Sequence, residues 1–299
     1  MEKDLIIGGA SNYTWDQLKF WVNSIKKTTF TGDIVLVVTN MTRETINKLT
    51  SEGVIIYAYG KQDENGNIVN QSQNAPHVER FLFIWDFLRK HKDTYRYVIV
   101  TDTRDVIFQK NPVEFLRDNL SANSIVASSE GLQYKNEPWG NKNLLDTFGP
   151  LVYDELKDKM IYNVGTIAGY SEEVRDLILQ IFYQSVNRPI RIVDQAVYNF
   201  LINLYPLYGE TLRTNNKDGW AIQLATTEGA IHAGSGDIGQ IIKQNPHMID
   251  DYREAYRDIQ PVIKDNMVSS GEKIYYIVHQ WDRVPLIKDL VMKQYGDNL

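Results

Sequence analysis

The stretch Tyr97 to Phe108, YVIVTDTRDVIF, places two carboxylates and a guanidinium directly after an apolar run. From Tyr97 to Thr101 there is no polar alternation, which is the pattern of a strand covered on both faces. Asp102, Arg104 and Asp105 therefore stand at a strand exit beside a core, where an ionised group is costly unless something pairs with it. Two carboxylates three positions apart at such an exit offer oxygen ligands to Mg2+ or Mn2+, hard ions that take carboxylate, water and phosphate oxygens. An ion held there would bridge to a diphosphate. The alternative is a local turn in which Arg104 answers the carboxylates and nothing binds.

Arg80 raises the same question from a second segment. It heads VERFLFIWDFLRK, a helical stretch that is apolar nearly all round and should be buried. A guanidinium entering such a helix must find an anion, either a ligand phosphate or Asp102 or Asp105. Trp139 in NEPWGN and Trp220 in KDGWA sit in loop-like settings where an indole could stack on a sugar face. The plain alternative for both is the core, where most aromatic side chains lie.

Short apolar runs alternate with helical patterns through the first hundred residues: LIIGG, a helix from about Thr14 to Lys27, DIVLVV, a helix from Thr42, VIIYAY, then a helix from about His77. This reads as βαβαβαβ and predicts an α/β fold with a Rossmann-like, mostly parallel sheet flanked by helices. Ligands of such sheets bind beyond the carboxyl ends of the strands. The polar stretch GKQDENGNIVNQSQNAP is long for a connection and predicts either a mobile lid or a surface loop. SIVASSEG reads as a strand, MIYNVGTIAGYS as another with two glycines, and Glu172 to Ser185 as a helix. RIVDQAVYNFLINLY has a helical pattern with Ile192, Val197, Phe200 and Leu201 among its apolar positions, and KIYYIVHQWDRVP reads as a late strand with a polar exit. The second half does not repeat the βαβ rhythm. We expect one domain over 1–299, with a nucleotide-binding half (1–110) and a donor-sugar and acceptor half (111–299) that elaborates the same sheet.

Bulk composition excludes several classes. A net charge of −6 and an isoelectric point near 5.5 argue against a nucleic-acid or anionic-membrane partner, which needs a basic face. With no cysteine there is no disulfide frame, thiolate metal site or cysteine nucleophile. The first residues offer too few apolar side chains for a secretory signal or a membrane span, so the expectation is a soluble, cytoplasmic protein. Dinucleotide binding is disfavoured, because IIGGAS lacks the G-x-G-x-x-G spacing and the second strand ends in Val38, Thr39, Asn40 with no acidic residue to hold a ribose. The small residues still favour close approach of a ligand, which nominates Ala10, Ser11 and Asn12 to border a base.

Taken in order, the N-terminal βαβ unit, VERFLF, TDTRDVIF, YNVGTIAG, DQAVYN and IVHQWDR resemble the GT-A fold glycosyltransferases, which use nucleotide-diphosphate sugars. The resemblance covers most of the chain, and large viral and bacterial glycan-building enzymes look nearest. It implies a metal site at Asp105 and Asp102, although the usual D-x-D spacing would put Thr103 in its first position. It implies His279 as the late histidine that completes the metal shell. It further implies Arg80, Thr103, Arg104, Asn163, Gly165 and Arg283 around the donor, and Asp194 facing the anomeric carbon and acceptor as a candidate base. For Asp194 an N-cap role is the alternative, and for Asn163 a structural hydrogen bond. The expected reaction is sugar transfer from a nucleotide-diphosphate sugar, with a UDP-sugar expected, to a hydroxyl of a glycan acceptor. Mn2+ or Mg2+ would stabilise the leaving diphosphate. Two other readings stand beside it: a sugar-nucleotide nucleotidyltransferase, against which GGASNYTWDQ lacks a basic residue for a triphosphate, and a non-catalytic carbohydrate- or nucleotide-binding protein.

Overall fold

The computed structural model describes residues 2–204 and 206–296. In chain order, β1 (Lys3–Ser11), α1 (Trp15–Lys27), β2 (Asp33–Thr39), α2 (Arg43–Ser51) and β3 (Ile55–Ala58) form the opening βαβαβ. Local chemistry starts both helices: Thr14 forms a capping box with Gln17, and the Thr42 hydroxyl accepts from the Thr45 N–H. A hairpin of β4 (Lys61–Gln62) and β5 (Ile68–Val69) follows, then α3 (Pro76–Lys90), which opens with proline at its first position.

The chain then returns as β6 (Tyr95–Thr101), β7 (Val106–Phe108), α4 (Pro112–Asn119), β8 (Ile125–Gln133) and α5 (Pro138–Leu156). Next come β9 (Met160–Tyr162), β10 (Thr166–Tyr170), α6 (Ser171–Ser185), α7 (Asp194–Ile202), α8 (Leu207–Glu210), β11 (Thr211–Thr214) and β12 (Ala221–Gln223). The last elements are α9 (Glu228–His232), α10 (Gly236–Gln244), α11 (Ile249–Ala255), β13 (Val262–Lys264), β14 (Met267–Ser269), β15 (Ile277–His279) and α12 (Pro285–Tyr295).

The main sheet runs β11-β8-β10-β6-β1-β2-β3, with β9 paired to β8. Neighbours β6, β1, β2 and β3 are parallel, β11 is parallel to β8, and β10 runs antiparallel between β6 and β8. The period of two in β1 sends Leu5 and Ile7 to a core shared with α3, α6 and α7, and Ile6 to the opposite core with Leu18, Trp21, Leu49 and Phe115. Helices therefore cover both faces, as the apolar strand runs require. A separate three-stranded sheet, β12-β15-β7, packs on α12 through Ile107, Ile222, Val278, Ile287 and Val291.

Two expectations need correction. MIYNVGTIAGYS is not one strand: it breaks into β9 and β10 around a turn at residues 163–165. The segment 60–76 is partly ordered by its hairpin and by the pairing of Met41 with Ile68. Its Asn70 and Asn74 amides also donate to Glu79 at 3.3 and 3.4 Å.

Candidate active site

The chain leaves β1 outward to β2 and β3 and returns on the other side as β6, so the carboxyl ends of β1 and β6 mark a topological switch point, where open α/β sheets bind ligands. A cleft of ≈ 570 Å³ opens there. Ala10 and Ser11 line it from the end of β1; Asn12, in a left-handed conformation, is exposed and outside the lining. The small residues of β1 serve packing as well as ligand approach. A Cβ on Gly9 would lie 2.8 Å from the Arg80 Cβ, so glycine is what lets α3 bring Arg80 against the strand end.

Asp102 and Asp105 divide their oxygens in the same way. One Asp102 oxygen pairs with Arg80, and the other lies 3.4 Å from Nε2 of His279. One Asp105 oxygen pairs with Arg104 at 3.2 Å, and the other lies 3.7 Å from the same Nε2. The β7–β15 ladder produces this meeting, since Val106 pairs with His279 and the Gln280 N–H donates to the Asp105 carbonyl at 2.7 Å. Burial alone would raise the Asp105 carboxyl. The hydrogen bond and charge of His279, with Arg104 and Arg283, outweigh it and hold the group well below the usual carboxylate range.

His279 is oriented from behind. Its Nδ1 lies 2.7 Å from Oε1 of Gln223, whose own amide nitrogen donates to Thr166 Oγ1 at 2.9 Å. That chain makes Nδ1 a donor and aims Nε2 at both carboxylates, where it donates to them as imidazolium and would offer its lone pair to a metal in their place. Each of the three side chains offers a ligand atom within 4.8 Å of the others. Ligands of one small divalent ion at about 2.1 Å are at most about 4.2 Å apart, so this donor set fits with a small contraction. Gly165 forms the floor: a Cβ there would lie 2.6 Å from His279 Cε1 and 2.7 Å from an Asp102 oxygen.

Arg80 spans two carboxylates, since its second terminal nitrogen reaches Asp194 at 3.4 Å. Asp194 is the first residue of α7, behind Val193 at the N-cap, and makes no cap hydrogen bond. One of its two oxygens pairs with the guanidinium. Ile192 stays outside the helix and lines the cleft, as do Thr103, Arg104 and Arg283.

Asn163 bridges two parts of the site, accepting from the Gly165 N–H at 2.7 Å and donating to Glu130 at 2.6 Å. Gln195 donates to the same Glu130 oxygen at 3.1 Å. Glu130 escaped the sequence reading, although an acid inside the buried strand SIVASSEG needs partners as much as Asp102 does. Burial pushes its carboxyl up, against the two amides and the charge of His279.

Glu137 was also missed; it caps α5 through the Trp139 and Gly140 N–H groups. Burial and the Glu130 charge push it up to about 7, against those N–H bonds and with help from Asp237. A carboxyl raised on folding binds its proton more tightly folded than unfolded. Its contribution is complete below pH 4.5 and is lost as pH rises through about 7. Glu137→Gln, which keeps a capping oxygen, should therefore flatten the fall in urea-unfolding free energy over that window, by up to about 3 kcal/mol.

Of the two nominated tryptophans the structure separates the roles. Trp139 lines the cleft with its residue 38% exposed. Trp220 is fully buried against Phe115 and Tyr276 and cannot stack on a sugar.

No protein-family model and no curated protein sequence matches the chain. A solved structure described as the apo form of the bifunctional glycosyltransferase WbbM is similar at a TM-score of 0.60 and 11% identity. The match covers 99% of this chain and 50% of that one, so the chain spans about half its length. At that identity the likeness establishes the fold. Among the described residues no helix is long and apolar enough to cross a membrane.

Proposed function

We propose that the chain transfers a glycosyl group from a nucleotide-diphosphate sugar to a hydroxyl of a glycan acceptor. The observation that carries this reading is the meeting of Asp102, Asp105 and His279, brought from two separate segments to the switch point of a sheet shared with a glycosyltransferase structure. Mn2+ or Mg2+ held by these three would neutralise charge on the departing diphosphate. Arg80 and Arg283 stand beside the cluster in the cleft, where their guanidinium groups would hold phosphate oxygens in the orientation for cleavage. Asn163 and Gly165 would border the donor sugar. Asp194 pairs with Arg80 through one oxygen, and that guanidinium already answers its charge, which weakens it as a base. Glu130, held through one oxygen by two amides, keeps its other oxygen without a protein partner among the described residues and is the better candidate to accept the acceptor's proton. Uridine remains the expectation for the base.

The test is to incubate the protein with Mn2+, a panel of nucleotide sugars and glycan acceptors while following release of nucleotide diphosphate. Chelator-sensitive release supports transfer. Pyrophosphate would point instead to a nucleotidyltransferase, and binding without turnover to a carbohydrate- or nucleotide-binding protein. Gln223→Leu provides a finer check, since a lost outer-shell hydrogen bond lowers metal affinity by about 10–100-fold. Mn2+ titration should show that weakening with the fold unchanged.

A further inference from the structure

Three side chains of the cleft wall, Glu130, Asn163 and Gln195, share a buried polar network with Asn199, which lies outside the cleft lining. Asn199, on α7, clamps the residue before Asn163 through both of its backbone groups. Its Oδ1 accepts from the Tyr162 N–H at 2.8 Å, and its amide nitrogen donates to the Tyr162 carbonyl at 2.7 Å. The same nitrogen donates to the Gln195 carbonyl at 2.8 Å. Asn199 therefore fixes the two segments whose side-chain amides converge on one Glu130 oxygen. A buried network of this kind holds its members to one arrangement.

The network is also tied to the floor of the metal cluster. The Asn163 N–H donates to the Ser128 carbonyl at 2.9 Å, and the Gly165 carbonyl accepts from the Asp102 N–H at 3.0 Å. The turn 163–165 is thus sewn between β8, which carries Glu130, and the exit of β6. Through its side chain, Asn163 holds the Gly165 N–H with one atom and Glu130 with the other. One residue therefore sets both the floor beneath His279 and Asp102 and the place of Glu130. The second Glu130 oxygen has no partner among the described residues, and unlike the Tyr134 and Tyr198 hydroxyls it is not sealed from solvent. Because Glu130 lines the cleft, the cleft is where a ligand meets that oxygen.

Resting on the glycosyl-transfer reading, we propose that Asn163, Gln195 and Asn199 are positioning residues: they hold Glu130 by one oxygen and present the other to the acceptor hydroxyl at a fixed place relative to the metal cluster. The amides also favour the carboxylate over the carboxylic acid, against burial. The other titratable groups that act on Glu130 are His279 from β15 and Tyr134 and Glu137 from the segment leading into α5, and the test variants leave all three in place. Gln195→Met removes one donor and keeps the volume. A lost donor raises the carboxyl, so the acid limb of the kcat profile should move up by about one pH unit. On that limb transfer should fall at least about tenfold, with the loss shrinking as pH rises and Mn2+ affinity unchanged. Asn163→Ala should shift the limb the same way and also weaken Mn2+ about tenfold, because the Gly165 N–H loses its acceptor. Asn199→Ala should reproduce the Gln195→Met shift from outside the cleft; if it does not fold, the other two variants decide. Carbon-13 titration of the Glu130 carboxyl in the presence of Mg2+, assigned with Glu130→Gln, reads the same shift without turnover. An unshifted titration with an equal loss of kcat at every pH would overturn the proposal. The expected shift in a protein that transfers no sugar would remove the transferase reading and leave the hold on Glu130 standing.

Discussion

Asp105→Asn is expected to lower sugar transfer by about 10³-fold while leaving the far-ultraviolet dichroism of the protein unchanged. The side chain keeps its shape and loses its charge, so the Val106–His279 pairing and the backbone bond from Gln280 should persist. What disappears is one of the two oxygens that face Nε2 of His279. Arg104 retains Asp282 at 3.5 Å, which limits the damage to the neighbouring ion pair. The variant should also lose measurable Mn2+ binding. Full activity in Asp105→Asn, or wild-type activity indifferent to chelator, would remove the metal from the mechanism.

Arg80→Ala is expected to cost stability as well as activity. Asp194 is 3% exposed, and removing its cation leaves a buried carboxylate without compensation, a change worth about 3–5 kcal/mol. The urea midpoint should fall accordingly. Arg80→Lys should not restore it in full, because two different guanidinium nitrogens reach two carboxylates and one ammonium cannot hold that fork. Replacing both partners, Arg80→Met with Asp194→Leu, should recover much of the stability and none of the transfer. Restored turnover in that double variant would show that neither group touches the reaction.

The opening half of this fold is legible because its signals are local. Thr14, Thr42 and Pro76 each mark a helix start within a residue or two, and the apolar runs of β1, β2 and β6 announce strands covered on both faces. The charged exit of β6 likewise reads as a site without any knowledge of its neighbours. The rest depends on partners distant in sequence. KIYYIV announces β15, but three-residue strands such as β7 and β12 carry no periodicity, so the pairing that joins Asp105 to His279 leaves no local trace. Trp220 reads as a loop tryptophan because its short segment is polar on one side, yet Phe115 and Tyr276 arrive from elsewhere to enclose it. Glu130 had a usable signal, an acid within a buried strand. Its partners Asn163 and Gln195 come from the turn after β9 and from the start of α7, which only the folded chain identifies.

The short β7–β15 ladder has a further consequence for the protein as it is made on the ribosome. The main sheet that walls the cleft is complete in outline once β10 and β11 have emerged, but the imidazole arrives only with a later segment that must zip against a strand already in place. A growing chain would thus present a shaped cleft lacking its histidine, and the three-residue cluster would assemble only after β15 has docked on β7.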